Sequence, residues 1–194
     1  MYSNTLIEKG DIMSKVLIVV DMQKDFVDGS LGTLEAVGIV SLVKKKIKKC
    51  MSAGDDIIFT VDTHYENYLD TREGENLPVK HCIKGTEGWN IIDELVNYIY
   101  ENNVKVVEKN AFGSIELPGL VEHYDEIELI GLCTDICVIS NAILLKTYYP
   151  EKIIEVDASC CAGTTQQSHE NALAAMKMCQ IKVLREAHMD KWHY

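Results

Sequence analysis

The stretch VLIVVDMQKDF, residues 16–26, runs through five apolar residues and turns polar at Asp21. A strand with one wet face alternates apolar and polar residues, whereas a strand covered on both faces reads as an unbroken apolar run. Residues 16–21 therefore predict a strand inside a sheet that has helices above and below. Similar runs recur outward from it: DIIFTVD (56–62), VKVVEK (104–109), EIELIG (126–131), KIIEVD (152–157) and IKVL (181–184). Helical patterns near 35–53, 89–102, 116–123, 134–149 and 165–180 fill the gaps, with Gly54 as a C-terminal stop. Strand alternating with helix predicts an α/β fold: a three-layer α/β/α open sheet of about six mainly parallel strands.

The 194 residues suffice for one sizeable core, and no linker divides them. We expect a polar N-terminal extension over residues 1–14, with Met13 as an alternative start, and a single domain over 15–194. A formal charge of −11 argues against nucleic acid or an anionic membrane as partner. The basic run KKKIKK, Lys44–Lys49, reads as a solvated helix end that complements the helix dipole. No apolar run approaches the roughly 20 residues that cross a bilayer. The opening MYSNTLIEKGDI lacks the apolar core of a signal peptide. Seven cysteines, an odd number spread through apolar segments, fit buried thiols in a reducing cytoplasm better than a disulfide framework. The segment 63–88 is a long polar connection without a clear period, of the kind that is functional or disordered.

In open parallel sheets, ligands bind at the carboxyl ends of the strands. The residues that follow the strands are Asp21, then Asp62 with His64, then Lys109, then GLCTDICV with Cys133 and Cys137. An acid, metal-type ligands, a base and thiols thus gather on one edge. The two cysteines admit several readings: a zinc clip, a catalytic disulfide, two core thiols, or a nucleophile with its backbone cradle. A clip lacks a second paired motif. A redox pair usually has C-x-x-C spacing. Core thiols are common. Thr134 or Asp135 can cap the helix, which sets Cys137 in the first turn, where free N–H groups stabilise a thiolate. Lys109 beside Asp21 and Cys137 would lower the thiol's pKa, and Asp21 could relay the proton. Asp62 and His64, alternate residues of an extended segment, share a face and can bind one ion with His81. A hydrogen-bonded loop pair without metal remains open.

In their order and at these strand ends, Asp21 of VVDMQKDF, Lys109, and Cys137 of GLCTDICV resemble the isochorismatase-like cysteine hydrolases. D-x-H at Asp62 and His64, followed by HC..GT.G at His81, Cys82, Gly85, Thr86 and Gly88, resembles the nicotinamidase branch of that family. The resemblance spans Val16 to about Leu184. It implies Asp21, Lys109 and Cys137 as catalytic residues, a cis peptide at Leu132–Cys133, and an oxyanion hole from the N–H groups of Cys133 and Cys137. It implies one divalent ion, zinc before iron or manganese, on Asp62, His64 and His81. Some members of the family add a ligand from the intervening loop, for which Asp70, Glu73 and Glu75 are the candidates here, and the spacing does not choose among them. Phe26 and Leu132 are implied as pocket residues. Trp89 and Phe112 are expected to be core, and Cys82 a buried thiol turned from the site. The implied reaction is hydrolysis of nicotinamide to nicotinate and ammonia through a thioester, in NAD salvage. The alternative is another small amide, such as a ureido, carbamoyl or pyrazinamide-like compound. The resemblance further implies a homo-oligomer.

Overall fold

A computed structural model describes residues 13–185. The polar extension expected at the N-terminus therefore lies outside the described residues up to position 12. Six strands, β1 (Lys15–Val20), β2 (Asp56–Asp62), β3 (Lys105–Lys109), β4 (Glu126–Leu132), β5 (Ile153–Ala162) and β6 (Lys182–Leu184), form one sheet. Their order is β3-β2-β1-β4-β5-β6, and every pairing is parallel. Four main helices, α1 (Leu34–Ala53), α2 (Asp93–Asn102), α3 (Ile139–Tyr148) and α4 (Gln166–Met178), connect the strands. Among the described residues no helix is long and apolar enough to cross a membrane.

The unbroken apolar run of β1 has the cause its sequence suggests. Val16, Ile18 and Val20 pack with Leu145 of α3 and Leu173 and Met176 of α4 on one face. Leu17 and Val19 pack with Ile39, Val43 and Ile47 of α1 and Leu95 of α2 on the other. Each helix is therefore held by one apolar stripe, and the sheet is covered on both sides. Thr33 caps α1 by accepting from Ala36 N–H at 3.0 Å, and Gly54 ends it in the left-handed conformation at φ 82°. Ser14 already belongs to the packed structure: its carbonyl accepts from the N–H groups of Asp125 and Glu126.

Three elements are shorter than their patterns predict. Helix 89–102 begins only at Asp93, because Trp89 and Ile91 face inward ahead of it: the Trp89 indole N–H bonds Thr63 Oγ1, and Ile91 bridges to Gln23. The segment 116–123 keeps a single turn, Leu117–Leu120. The segment 134–149 opens with a wide π-type turn, Thr134–Val138, before α3 begins. The Lys44–Lys49 run also departs from its reading as a solvated end. Ile47 is fully buried, and Lys46 reaches under the sheet to Glu128 and Asp157, at 2.6 Å from each.

Strand order reverses between β1 and β4, which opens a crevice at their carboxyl ends. The long connection after β2 folds over this crevice through two short turns, Tyr68–Asp70 and Arg72–Asn76.

Candidate active site

Asp21 directly follows β1, and its backbone turns through the left-handed region at φ 48°. The neighbouring strand β4 carries Gly131 at its penultimate position, φ 113°, where a Cβ would lie 2.1 Å from the Val20 carbonyl oxygen. Only glycine lets the two strand ends run this close. From there the chain passes through a cis peptide, Leu132–Cys133, into the π-type turn. The Cys133 carbonyl accepts from the N–H groups of Ile136 and Val138, at 3.1 Å each. Cys137 lies between those two donors.

The side chain of Lys109, at the end of β3, reaches across β2. Its Nζ lies 2.7 Å from Asp21 Oδ2, 3.1 Å from Asp62 Oδ1 and 3.4 Å from Cys137 Sγ. All four residues are buried. Thr60 Oγ1 donates to the second oxygen of Asp21 at 2.6 Å. Burial, then the charge of Asp62, pushes the Asp21 carboxyl up against the pull of Lys109. Burial alone would depress the Lys109 ammonium, but Asp21, Cys137 and Asp62 hold it well above its ordinary value. Burial, then the Asp21 charge, raises the Cys137 thiol, and Lys109 offsets this only partly. The expected depression of the thiol is thus reversed, because desolvation of a fully enclosed sulfur outweighs one ammonium. The expected cap is also absent. Thr134 Oγ1 bonds His169 Nδ1, and the Asp135 carboxylate accepts from the N–H and hydroxyl of Thr164.

A second cluster adjoins the first through Asp62. One ligand-type atom from each of Asp62, His64, Glu73 and His81 lies within 4.8 Å of the others. His64 Nε2 is 3.0 Å from Asp62 Oδ2 and 3.6 Å from Glu73 Oε1. His81 Nε2 is 3.7 Å from Asp62 Oδ2 and 3.6 Å from Glu73 Oε1. The remaining ring nitrogen of His81 meets the Val79 carbonyl at 2.8 Å, which turns Nε2 toward the cluster. His64 Nε2 is buried and has no hydrogen-bond partner, although Asp62 Oδ2 lies 3.0 Å away. Two imidazoles and two carboxylates converging on one point, with an orphaned nitrogen among them, fit a divalent ion of the zinc, iron or manganese type. Of the three acidic residues open as a further ligand, Glu73 is the one brought in. Asp70 is exposed, and Glu75 pairs with Arg72 at 2.7 Å.

Both clusters reach one cavity of about 760 Å³, the first through Cys137 and Asp62, the second through Asp62, Glu73 and His81. Phe26, Leu31, Leu77, Phe112, Leu132 and Ile136 line its walls. The Phe26 ring centroid is 5.4 Å from that of His81. Phe112, expected in the core, is instead 47% exposed and lines this cavity, whereas Trp89 is half-buried and packs against the core from its edge. Cys82 is fully buried, as expected.

Two supporting residues escaped the sequence reading. Gln23 bonds Asp62 on both sides of its backbone, donating to its carbonyl at 2.9 Å and accepting from its N–H at 2.7 Å. Asp25 accepts from Cys82 N–H at 2.8 Å and braces the His81 loop. A Cβ at Gly88 would collide with that carboxylate at 2.1 Å, which accounts for the glycine of the HC..GT.G segment. The polar residues of MQKDF were the available signal for both.

Fold and site together define a three-layer α/β/α protein with a thiol, carboxylate and ammonium gathered beside a metal-type cluster. A family model described as the isochorismatase domain matches residues 15–187. The chain belongs to the isochorismatase family. It is 33% identical over 178 residues to the isochorismatase family protein PncA of Bacillus subtilis (strain 168), covering 84% of this chain and 93% of that protein. Among solved structures it resembles the pyrazinamidase/nicotinamidase of Streptococcus mutans UA159, with 28% identity, TM-score 0.80, and coverage of 88% of this chain and 100% of the other. It also resembles the N-carbamoylsarcosine amidase of Thermoplasma acidophilum, with 27% identity, TM-score 0.76, and coverage of 92% and 99%.

Proposed function

We propose that this protein is a metal-assisted cysteine amidohydrolase that converts nicotinamide to nicotinate and ammonia. The observation that carries this reading is the triple contact of Lys109 Nζ with Asp21, Cys137 and Asp62. It ties an acid and a nucleophile to the metal-type cluster on the floor of a single cavity.

In this reading the substrate ring packs on Phe26 and Leu132, with its carboxamide over Cys137. A divalent ion, zinc first, held by Asp62, His64, Glu73 and His81, supplies a positive anchor for a lone pair of the ring. The Cys137 thiol is neutral at rest and passes its proton to Asp21 as Sγ bonds the carbonyl carbon. The carbonyl π electrons move to oxygen, where the N–H groups of Cys133 and Cys137 receive the charge. Such donors are worth about 3–4 kcal/mol each in comparable sites. Collapse of this adduct breaks the C–N bond, and Asp21 returns the proton to the departing ammonia. Asp21 then takes a proton from water as the water oxygen attacks the thioester. The C–S bond breaks, and the thiol regains that proton. Lys109 keeps the charge of the cluster balanced throughout.

The same machinery acting on a ureido or carbamoyl amide is the second reading, favoured by the likeness to the N-carbamoylsarcosine amidase. Ammonia release from nicotinamide, pyrazinamide and N-carbamoylsarcosine, before and after chelation and after reloading with zinc, iron or manganese, separates the two. Metal-dependent release from nicotinamide supports the first. Release from N-carbamoylsarcosine alone, indifferent to chelation, moves the assignment to the second. No release from any of them overturns both. The reading includes the homo-oligomeric state, cytoplasmic setting and place in NAD salvage that the resemblance implies; sedimentation of the purified chain tests the first.

A further inference from the structure

The turn that carries Cys137 is not held by its own cap. Its first residue, Thr134, is fully buried, and its hydroxyl meets Nδ1 of His169 at 2.8 Å. His169 is 9% exposed and lies in the first turn of α4, which Thr165 anchors by accepting from Ser168 N–H at 3.0 Å. The packing is close: a Cβ at Gly163 would come within 2.9 Å of both Cβ and N of His169 and 3.0 Å from Asp135 Oδ1. Burial lowers the tendency of His169 to protonate; Glu170 and Asp135 favour the charged form, and Arg185 opposes it. A neutral imidazole is thus fixed against the segment that separates Cys133 from Cys137. The proposed chemistry assigns it no part in proton transfer.

We propose that the His169–Thr134 pair is a positioning device for the nucleophile turn, setting the Cys133 and Cys137 N–H groups and the Cys137 sulfur in register with the substrate carbonyl. The inference rests on the hydrolytic reading above. Thr134 cannot move toward or away from the sheet without breaking a buried hydrogen bond to a helix anchored elsewhere. Leaving either partner unsatisfied in that enclosed space is costly, so the pair specifies one geometry. Donors that stabilise an oxyanion act only if they are already in place when the charge develops, and displacement by about 1 Å can cost about a hundredfold in rate.

The test uses the metal-loaded protein and the variants Thr134→Val, His169→Leu and their combination, with Thr134→Ser retaining the hydroxyl. Each single variant is expected to lower kcat on nicotinamide by roughly ten- to a hundredfold with KM changed far less, because the defect lies in the reacting geometry. The double variant falls no further than the worse single, as for two residues sharing one interaction. Thr134→Ser recovers most of the loss. A second readout needs no turnover: pyridine-3-carbaldehyde, which adds the Cys137 sulfur to its carbonyl carbon, weakens in parallel with kcat, while nicotinate binding holds. Additive losses, or a fall in both ligands' binding together with the melting temperature, reduce the pair to ordinary packing and overturn the proposal. If the wild-type protein hydrolyses no amide, the proposed function fails. The aldehyde titration then judges the pair alone, and unchanged adduct formation in the variants overturns it.

Discussion

The two ends of the sheet both set lysines among carboxylates, yet they use them differently. At the amino ends of the strands, Lys46 lies 2.6 Å from Glu128 and from Asp157, and Lys15 lies 2.8 Å from Glu128 and also pairs with Glu126. Lys182 closes the group on Glu155. Charges there face one another, and the cavity at this end, beside Asp56 and Lys105, is not lined by any of them. At the carboxyl ends, Lys109 stands among Asp21, Asp62 and Cys137, the last two of which line the cavity, and His64 Nε2 is left without a hydrogen bond. A paired network seals a structure; an incompletely paired one facing open space can accept a ligand.

The sharpest break between the two ends is expected at Cys137. Cys137→Ala removes the proposed nucleophile and little volume, so ammonia release is expected to fall by about four orders of magnitude or more, the loss seen when a nucleophile is removed. The melting temperature and circular dichroism stay near wild type. Residual turnover within tenfold of wild type refutes the assignment.

Exchanging the lysines inverts the two phenotypes. Lys109→Met leaves Asp21 and Asp62 uncompensated beside the thiol, and kcat/KM drops on the order of a thousandfold. Lys46→Met leaves Glu128 and Asp157 without their shared partner. Breaking a buried pair costs about 3–5 kcal/mol, and the partial exposure of Lys46 places this variant nearer roughly 2–3 kcal/mol, with kcat unchanged. Denaturant melts and steady-state kinetics on both variants check this; a kinetic defect in Lys46→Met would erase the distinction.

Glu73 sharpens the comparison within the functional end. Glu73→Ala is expected to weaken zinc binding by about tenfold or more, measured by competition with a chromogenic chelator, while Glu75→Ala leaves it unchanged. Equal affinities would remove Glu73 from the ligand set.

How much of this was legible follows from where each signal resides. The strands were readable because burial on both faces forces a continuous apolar run, and the runs of β1, β2 and β3 stop at Asp21, Asp62 and Lys109. Glu73 was not separable from its neighbours, because tertiary contacts set the turn that aims it. Thr71 caps that turn by accepting from Gly74 N–H at 3.1 Å, and Gly74 fits only for want of a Cβ, which would meet the Tyr68 carbonyl at 2.1 Å. No period in residues 63–88 reports such contacts. Lys46 was legible and missed. It adjoins the buried stripe Ile39, Val43, Ile47 and Cys50, so the helical period singles it out from the other lysines of its run. The raised thiol of Cys137 depends on how completely the sulfur is enclosed, which the sequence motif does not encode.

The smallest expected effect concerns acid at the structural end. The Lys15 ammonium holds the Glu126 carboxyl below its ordinary range, against the effect of burial. A carboxyl with a depressed folded-state pKa contributes stability that is fully present above its unfolded value of about 4.3, and loses it as pH falls through the folded value. Wild type is therefore more stable than Lys15→Met at neutral pH, and the gap narrows on acidification below about pH 4. Urea midpoints from pH 7 to pH 3 measure the gap. A gap that stays constant across that range would mean that Lys15 acts through the packing of its aliphatic stem, and that the structural end owes less to charge pairing than the functional end does.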